Sequence, residues 1–515
     1  MQTQRKYFAI LAVIISLLFG CKEKTQEINT LGIAHLEVSG NTSAQPYFEK
    51  GLLLLYSFEY TDARDEFIKA QEADPNMLMA YWGEAMTYNH TLWAEQDFEK
   101  ATTAIKKITD ANTLETLSSL EQDFIHSITL LYQTEKTKAE RDNAYSNYLA
   151  EMYNSYPKNQ EVAAFYALSI LGTEQEGRDA IVYEKGAVIA QKILDVNPNH
   201  PGALHYLIHS YDDPEHAHLA LDAANKYAKV APDAAHALHM PSHIYVAMGM
   251  WDEVISSNEH SYQASVDRME RKQSDNDARG YHSYHWLEYG YLQKGREADA
   301  EKLVWDMQTY TNATTSQRSK THLVYLKGTY LVETNNWSSA VADIPIDVSD
   351  LNVAVRAQNS FIEGMKAFSK KDNIALDKVI ADLHADYEKE SLQVQDVMDA
   401  HCASLDGNAV TSTNILQCKI IEAQLLGLSA WLENDIALTE EWFKKSITLE
   451  ESISYSYGPP EIQKPTYELY GDWLLTQNRG EDAILQYELA LKKGPNRKLA
   501  LQGKQDAEKI IDFLN

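Results

Sequence analysis

A repeat of 34 residues is the feature of this sequence that most restricts its fold. When Ala44 is counted as position 1, positions 4, 8, 11, 20, 24, 27 and 32 hold Tyr47, Gly51, Leu54, Ala63, Phe67, Ala70 and Pro75. When Lys464 is position 1, the same positions hold Tyr467, Gly471, Leu474, Ala483, Tyr487, Ala490 and Pro495. Small residues at positions 8 and 20 let two helices of one unit pack closely, and the proline at 32 cannot continue the second helix. The spacing therefore predicts antiparallel helix pairs, each covered by the next pair along the chain.

The middle of the chain keeps much of this spacing. Further units lie between Pro198 and Pro232, begin at Ala235, Tyr281 and Thr321, and in weaker form contain Gly427, Ala430 and Phe443. The spacing breaks at residues 89–156 and 172–182, which we expect to be insertions or degenerate helical pairs. Residues 344–351 are predicted to link two sub-arrays.

These positions resemble the consensus of the tetratricopeptide repeat (TPR) superfamily over most of the chain after residue 43. Two stretches are also similar to a group of bacterial TPR proteins of largely unassigned activity: AYWGEAMTYNHTLW at residues 80–93 and HALHMPSH at residues 236–243. The resemblance implies an all-α fold, in which helix–turn–helix units stack in a right-handed superhelix, an α-solenoid. It also implies a protein-binding scaffold, although a fold alone does not decide function.

Composition excludes several classes of protein. The 515 residues carry a formal net charge of −29, and a nucleic-acid binder needs clustered Lys and Arg, so we predict no nucleic-acid partner. Three cysteines are too few for a Cys₄ zinc site. The low content of proline and glycine argues against a loop-rich β fold.

The N-terminus has the order of a lipoprotein signal. Arg5 and Lys6 precede an apolar run over residues 7–19, and the sequence LFGC that ends at Cys21 resembles a bacterial lipobox. The resemblance implies a diacylglycerol and palmitate anchor on Cys21. An Asp directly after the cysteine would resemble an inner-membrane retention signal. Because Lys22 stands there instead, the resemblance also implies the outer membrane. An ordinary secretory signal followed by a chance cysteine is the alternative.

The chain therefore divides into four predicted segments. They are a lipoprotein signal peptide at residues 1–20, a polar tether at 21–43, an N-terminal TPR array with a histidine-rich centre at 44–343, and a C-terminal TPR array at 344–515. Cys402 and Cys418 flank a polar segment of the second array, and in an exported protein such a pair is a candidate disulfide.

Seven histidines occupy groove-facing positions in three successive units. In a TPR superhelix the first helix of each unit lines the inner groove with positions 2, 5, 9, 12 and 13. The histidines at positions 2, 5 or 9 are His205, His209, His236, His239, His243, His282 and His285. Asp212, Asp213, Tyr289 and His322 take neighbouring groove positions. The sequence therefore predicts that these side chains share one groove, with a kink at Pro241.

The histidine pattern has three interpretations. Imidazoles four residues apart lie on one helix face and, with a nearby carboxylate, suit a divalent transition metal such as zinc, copper or iron. The pattern departs from the His-Glu-x-x-His zinc signature. Alternatively, the imidazoles hydrogen-bond to one another and to neighbouring tyrosines and form a metal-free ligand groove, or some of them pack in the core.

Two functions of different class follow. The first is a lipid-anchored outer-membrane module whose groove binds a protein, a peptide, a small ligand or a glycan. By analogy with lipoproteins of this kind, it would accompany a nutrient acquisition system, including one for polysaccharides. Trp82 and Trp93 could stack on such a ligand, although packing between repeats is the simpler role. The second is a metal-dependent enzyme in which the histidine cluster holds one or two ions, with a metal-bound water as nucleophile and Asp212, Asp213 or Glu288 as base.

Overall fold

The structure is a computed structural model that describes residues 30–93, 95–111, 113–174, 177–394 and 409–514. Cys21, the predicted signal peptide and Cys402 lie outside the described residues, so the anchor and the disulfide stay predictions. The described residues from Leu31 onward form one compact unit.

Within the described residues the fold is all-α apart from one short antiparallel hairpin of β1 (Asn89–His90) and β2 (Glu95–Gln96). The helices are α1 (Gln45–Tyr56), α2 (Tyr60–Ala73), α3 (Leu78–Met86), α4 (Phe98–Thr109), α5 (Ser119–Leu131), α6 (Lys138–Ser155), α7 (Gln160–Leu171), α8 (Ala180–Val196), α9 (Pro201–Ser210), α10 (Leu221–Val230), α11 (Ala235–His239), α12 (Pro241–Ala247), α13 (Trp251–Lys272), α14 (Tyr281–Gln293), α15 (Glu297–Ala313), α16 (Gln317–Thr334), α17 (Val353–Ser369), α18 (Asn373–Ser391), α19 (Ser412–Leu432), α20 (Ile436–Glu451), α21 (Thr466–Thr476), α22 (Gly480–Lys493) and α23 (Lys498–Leu514). Consecutive helices pack as pairs, and the predicted all-α TPR-type solenoid is confirmed.

The first and last repeats show the close packing that the spacing predicts. A Cβ on Gly51 would lie 2.8 Å from the ring of Phe67, and a Cβ on Gly471 would lie 2.7 Å from the ring of Tyr487. Ala63 and Ala483, at position 20, are fully buried. The aromatic ring at position 24 thus packs directly on the glycine at position 8.

The unit that begins at Ala235 has a divided first helix. Pro241 has no backbone N–H to continue the helical ladder, and the helix is split into α11 and α12 on either side of Met240. Met240 itself keeps helical dihedral angles, so the chain direction is largely preserved. The helix is therefore interrupted at Met240 while the kink stays a prediction, and His239 and His243, one from each half, still lie together.

The unit predicted from Thr321 lacks its second helix. Its first helix is α16, but the next turn is only the 3₁₀ segment Ala340–Asp343, and Ala340 is exposed instead of packed between helices. Pro345 explains this difference, because it disfavours helix at Ile344 and leaves too few residues after the turn at Asn335. The following residues 344–352 are non-helical, as expected for the predicted linker.

The apolar core forms two large clusters. One contains buried residues from Leu31 to Tyr289, and the other contains buried residues from Ile255 to Ala507. Both clusters draw on α13 and α14, which therefore join them. The predicted boundary at residues 343 and 344 stays a prediction.

The last repeat packs back against the middle of the solenoid. Arg497 donates to the hydroxyl of Tyr289 over 2.8 Å and pairs with Glu333 over 2.6 Å and with Glu468. The indole of Trp251 donates to the carbonyl of Asn496 over 3.0 Å. These contacts bring the C-terminal units alongside α13, α14 and α16.

Helix α19 is long and apolar enough to cross a membrane by length and composition. However, 61% of its apolar stretch is buried within the fold, where it packs against α17, α18 and α20. Buried core helices often have this length and this apolar composition, and α19 is therefore part of the core.

Replacing Ala483 by Phe should overpack the last repeat. Ala483 has no exposed surface between α21 and α22, so a larger ring must displace its neighbours, at a loss of about 1–3 kcal/mol in the free energy of unfolding. Leu485→Phe is the matched control, because Leu485 on the same helix is 54% exposed. Denaturant unfolding measures both variants, and equal stabilities would contradict the assigned register.

Replacing Arg497 by Met should destabilise the protein by about 3–5 kcal/mol, because Glu333 would lose its ion-pair partner and Glu468 would keep only Lys464. Burial raises the pKa of Glu468, but Arg497 and Lys464 outweigh it, so the pKa lies below its usual value. The Glu468–Arg497 ion pair therefore stabilises the fold above the unfolded pKa and loses this effect as pH falls, whereas burial raises the pKa of Glu333, which adds no such contribution. The difference in stability between the wild type and the variant should therefore become smaller below about pH 4, as measured by thermal unfolding. Lys509→Met, on an exposed side chain, should show neither effect.

Candidate metal centre

Six of the seven predicted histidines form one continuous chain of rings. Ring centroids lie 4.9 Å apart for His205 and His209, 5.0 Å for His205 and His236, 5.3 Å for His209 and His243, 5.1 Å for His239 and His243, and 4.7 Å for His239 and His282. Helices α9, α11, α12 and α14 supply them. We call these six residues the histidine cluster.

The histidine cluster is buried at its centre and open at one end. His205, His209, His239 and His243 are buried, His236 is half-buried and His282 is exposed. The most accessible ring is thus that of His282, at one end of the chain of rings.

Hydrogen bonds to neighbouring groups fix three of the buried rings. Nδ1 of His205 donates to the carbonyl of Tyr56 over 2.7 Å. Nδ1 of His239 donates to Oδ1 of Asn258 over 2.7 Å, and the amide of Asn258 is itself fixed by donating to a backbone carbonyl. Nδ1 of His243 donates to Oδ2 of Asp212 over 3.0 Å. Since a neutral imidazole carries one proton, each of these three rings keeps a lone pair on Nε2.

The Nε2 atoms of two neighbouring rings face each other, and two further Nε2 atoms are buried without a partner. Nε2 of His205 lies 3.2 Å from Nε2 of His236. Among the described residues, Nε2 of His209 and Nε2 of His239 are buried and have no hydrogen-bond partner. Buried polar atoms are normally paired, so these two nitrogens fit a centre that a cation completes.

The cluster favours neutral imidazoles. Burial, and then the neighbouring imidazoles, lower the pKa of His205 and of His239 well below the usual value. A metal ligand must be unprotonated, so these rings are in the form that binds a cation.

Asp212 is an ionised carboxylate beneath the cluster. Burial raises its pKa, but Arg178, His209 and His243 outweigh it and hold the pKa well below the usual range. Arg178 pairs with Asp212, donates to the carbonyls of His209 and Ser210 over 3.1 and 3.0 Å, and approaches Asp213 within 3.2 Å. Asp212 therefore orients the imidazoles and is itself held by Arg178.

Ligand-capable atoms come together in three overlapping groups. Each group has three atoms within 4.8 Å of one another: His205, His209 and His236; His239, His243 and His282; and His209, Asp212 and His243. All the nitrogen donors are imidazoles, which suit zinc, copper and iron.

The other predicted groove residues lie outside these three groups. His285 contacts the hydroxyl of Thr329 over 2.9 Å, and His322 donates to the carbonyl of Arg318 over 2.9 Å. Tyr289 accepts from Arg497, and Asp213 accepts from Arg178 and His216. His285 thus points toward α16 and away from the six clustered rings.

Aromatic residues that the repeat pattern does not identify surround the cluster. Trp286 lies 4.8 Å from the ring of His239 and 4.7 Å from that of His243, while Phe58 lies 4.2 Å from His205. Trp93 is 44% exposed and lies 6.0 Å from His236. Trp82 is fully buried against Phe124 and Phe165, which is the packing role and not a ligand contact.

The loop between α20 and α21 covers the cluster from the opposite side. The ring of Tyr457 lies 4.6 Å from His243, and Ser454 accepts from the backbone N–H of Arg178 over 3.1 Å. Gly458 has a φ of +104°, and a Cβ there would lie 2.4 Å from Trp286. The turn Gly458-Pro459-Pro460 is visible in the sequence, but its contact with a helix about 170 residues away is not.

A cavity of ≈ 590 Å³ lies beside the centre. Its lining includes Arg178, Trp251, Tyr289, Tyr455 and Arg497, and none of the six clustered histidines. The Arg178 side chain, which pairs with Asp212, is therefore common to the cavity and the outer shell of the cluster.

The fold defines the class of this protein as an all-α solenoid of TPR-type helix pairs. No protein-family model matches the sequence, and no curated protein matches it. Among solved structures, the chain is similar to yeast Tom70 (12% identity, 92% of this chain and 89% of that one, TM-score 0.34) and to the Cut9–Hcn1 hetero-tetramer of APC/C (12%, 97% and 81%, 0.37). It is also similar to a monomeric IFIT1 mutant (11%, 91% and 100%, 0.38). Because these TM-scores are low, the class rests on the helix pairs described above.

Proposed function

We propose that this protein is a metal-binding module, in which the histidine cluster of a TPR-type solenoid binds a divalent transition metal. The observation that carries the proposal is the arrangement of His205, His239 and His243, whose Nδ1 atoms are all engaged by outer partners. Metal-bound histidines are typically oriented in this way, by a carbonyl, an amide or a carboxylate on the second nitrogen.

The donor set indicates the class of metal. Among the described residues, the grouped ligand atoms of the cluster are imidazole nitrogens and one carboxylate, without a cysteine sulfur. Borderline ions such as Zn²⁺, Cu²⁺ and Fe²⁺ suit imidazole, whereas Mg²⁺ and Ca²⁺ need oxygen ligands. We favour zinc or copper, because three imidazoles leave one position of a four-coordinate shell open.

The carboxylates favour binding over catalysis. Asp212 and Asp213 are both engaged by Arg178. Glu288 is fully buried, and burial together with Glu333 raises its pKa well above the usual value, which disfavours the ionised form that a general base needs. None of the three expected bases is therefore placed as a free base beside the cluster.

We also propose that Cys21 carries the lipid anchor and that the module is held at the outer membrane. The charged, apolar and LFGC segments of the N-terminus support this proposal. A protein partner and an accessory role in nutrient or polysaccharide acquisition stay predictions from the resemblance to bacterial TPR lipoproteins.

Metal binding is tested by titrating Zn²⁺ or Cu²⁺ into the purified mature chain and measuring bound metal by mass spectrometry. His239→Ala and His243→Ala should each weaken binding by more than about tenfold, because each removes a ligand with an engaged Nδ1. His384→Ala should leave binding unchanged, since His384 lies outside the cluster and pairs with Glu422. A wild-type chain that binds none of zinc, copper or iron would exclude the proposal and favour a metal-free polar groove.

The anchor is tested by Cys21→Ser in cells that express the full chain. The variant should lose incorporation of labelled palmitate and leave the membrane fraction, because each buried methylene of an acyl chain contributes about 0.8 kcal/mol to membrane attachment. Unchanged attachment and unchanged labelling in the variant would show that Cys21 is not the anchor.

A further inference from the structure

The two outer groups of ligand atoms are related by the repeat itself. In the 34-residue numbering, His205 and His209 are positions 5 and 9 of one unit, and His236 is position 2 of the next. His239 and His243 are positions 5 and 9 of that next unit, and His282 is position 2 of the unit after it. We call His205, His209 and His236 the first triad, and His239, His243 and His282 the second triad.

The repeat explains why each triad converges. Residues four apart lie on one face of a helix, which brings positions 5 and 9 together. The first helix of the next unit packs beside this helix. Its position 2 lies at its N-terminal end, about one turn before its own position 5. In both triads the three ligand atoms lie within 4.8 Å of one another. One packing geometry therefore produces the same three-histidine arrangement twice.

Each triad also contains a buried nitrogen that the described residues leave unpaired. In the first triad it is Nε2 of His209, and in the second it is Nε2 of His239. One carboxylate lies between the triads: Oδ2 of Asp212 is 3.0 Å from Nδ1 of His243 and 3.4 Å from Nδ1 of His209. Asp212 therefore faces one ring of each triad.

We propose that the protein binds two transition-metal ions, one in each triad, so that the repeat of the solenoid has duplicated a metal site. This inference rests on the proposed function. Each ion takes three imidazole nitrogens, and the fourth position is open to water or to another ligand. The remaining group of His209, Asp212 and His243 is not a third site, because both of its rings already belong to a triad.

The next unit contains the same positions but not a third triad. Its residues are His285 at position 5, Tyr289 at position 9 and His322 at position 2 of the following unit. The hydroxyl of Tyr289 accepts from Arg497, and Nε2 of His285 is engaged by Thr329. The expected stoichiometry is therefore two ions per chain and not three.

The competing arrangement is a single ion at the middle of the cluster, held by His209, Asp212 and His243. This arrangement predicts one ion per chain. It also predicts that the outer histidines His236 and His282 contribute little to metal binding. The two arrangements thus differ in both the stoichiometry and the residues that matter.

The experiment titrates Zn²⁺ alone into the mature full chain and counts bound ions by native mass spectrometry and calorimetry. The wild type should bind two ions, His236→Ala and His282→Ala should each bind one, and the double variant should bind none. His282 is exposed and His236 is half-buried, so both variants should keep the wild-type circular dichroism spectrum. His285→Ala and His322→Ala are the matched controls, since they occupy the incomplete third set, and they should bind two ions.

Two results would overturn the two-ion inference. If the wild type binds one ion that is lost in His209→Ala but kept in both His236→Ala and His282→Ala, the single central site is correct and metal binding as such stands. If the wild type binds two ions but His285→Ala or His322→Ala loses one, the repeat rule is wrong. If the wild type binds no ion, the proposed function itself fails, which is a distinct result.

Discussion

Close packing between the two helices of each unit is the constraint on which the rest of this structure depends, and an aromatic ring packed on a glycine is its clearest form. Gly51 meets Phe67, Gly471 meets Tyr487, and Gly427 meets Phe443 at 2.6 Å from the Cβ position. Because these contacts leave no room for a side chain on the first helix, they fix how that helix is rotated against the second. The units that carry the histidines hold Ile208, Ser242 and Glu288 at position 8. In these units the spacing of positions 2, 5 and 9 along one helix face brings the histidines together.

The sequence was sufficient wherever this local contact decides the structure. The first and last repeats, the split at Pro241 and the shared location of six histidines all follow from spacing within one or two units. The spacing did not identify the pair α17 and α18, because Leu376 occupies the place that alanine holds in the full repeats while Gly364 packs against Leu425. It also predicted a second helix after Thr334 that Pro345 prevents. In both cases one residue outside the consensus changed the local packing.

The outer partners of the cluster could not be predicted, because they come from distant parts of the chain. His205 donates to a carbonyl 149 residues away, and Tyr457 and Ser454 reach the cluster from the loop before the last repeat. Such contacts depend on how far each unit rotates against the next, a small angle that accumulates along a solenoid. The spacing of residues predicts how neighbouring units pack, but it does not predict the rotation that accumulates over many units. The sequence therefore predicts the histidines that come together, and not the groups that orient them.

The chain's own residues also bear on what the groove binds. Gln424 donates to the carbonyl of Lys464 over 2.8 Å and Gln358 donates to that of Glu461 over 3.1 Å, so side chains of α17 and α19 hold a segment of this chain. The same segment continues to Tyr457, over the histidine cluster. An extended peptide in this part of the groove would have to displace it and break these hydrogen bonds. A metal ion would not, because it needs only the Nε2 atoms of the clustered rings. The segment thus favours an ion over an extended peptide at the histidine cluster.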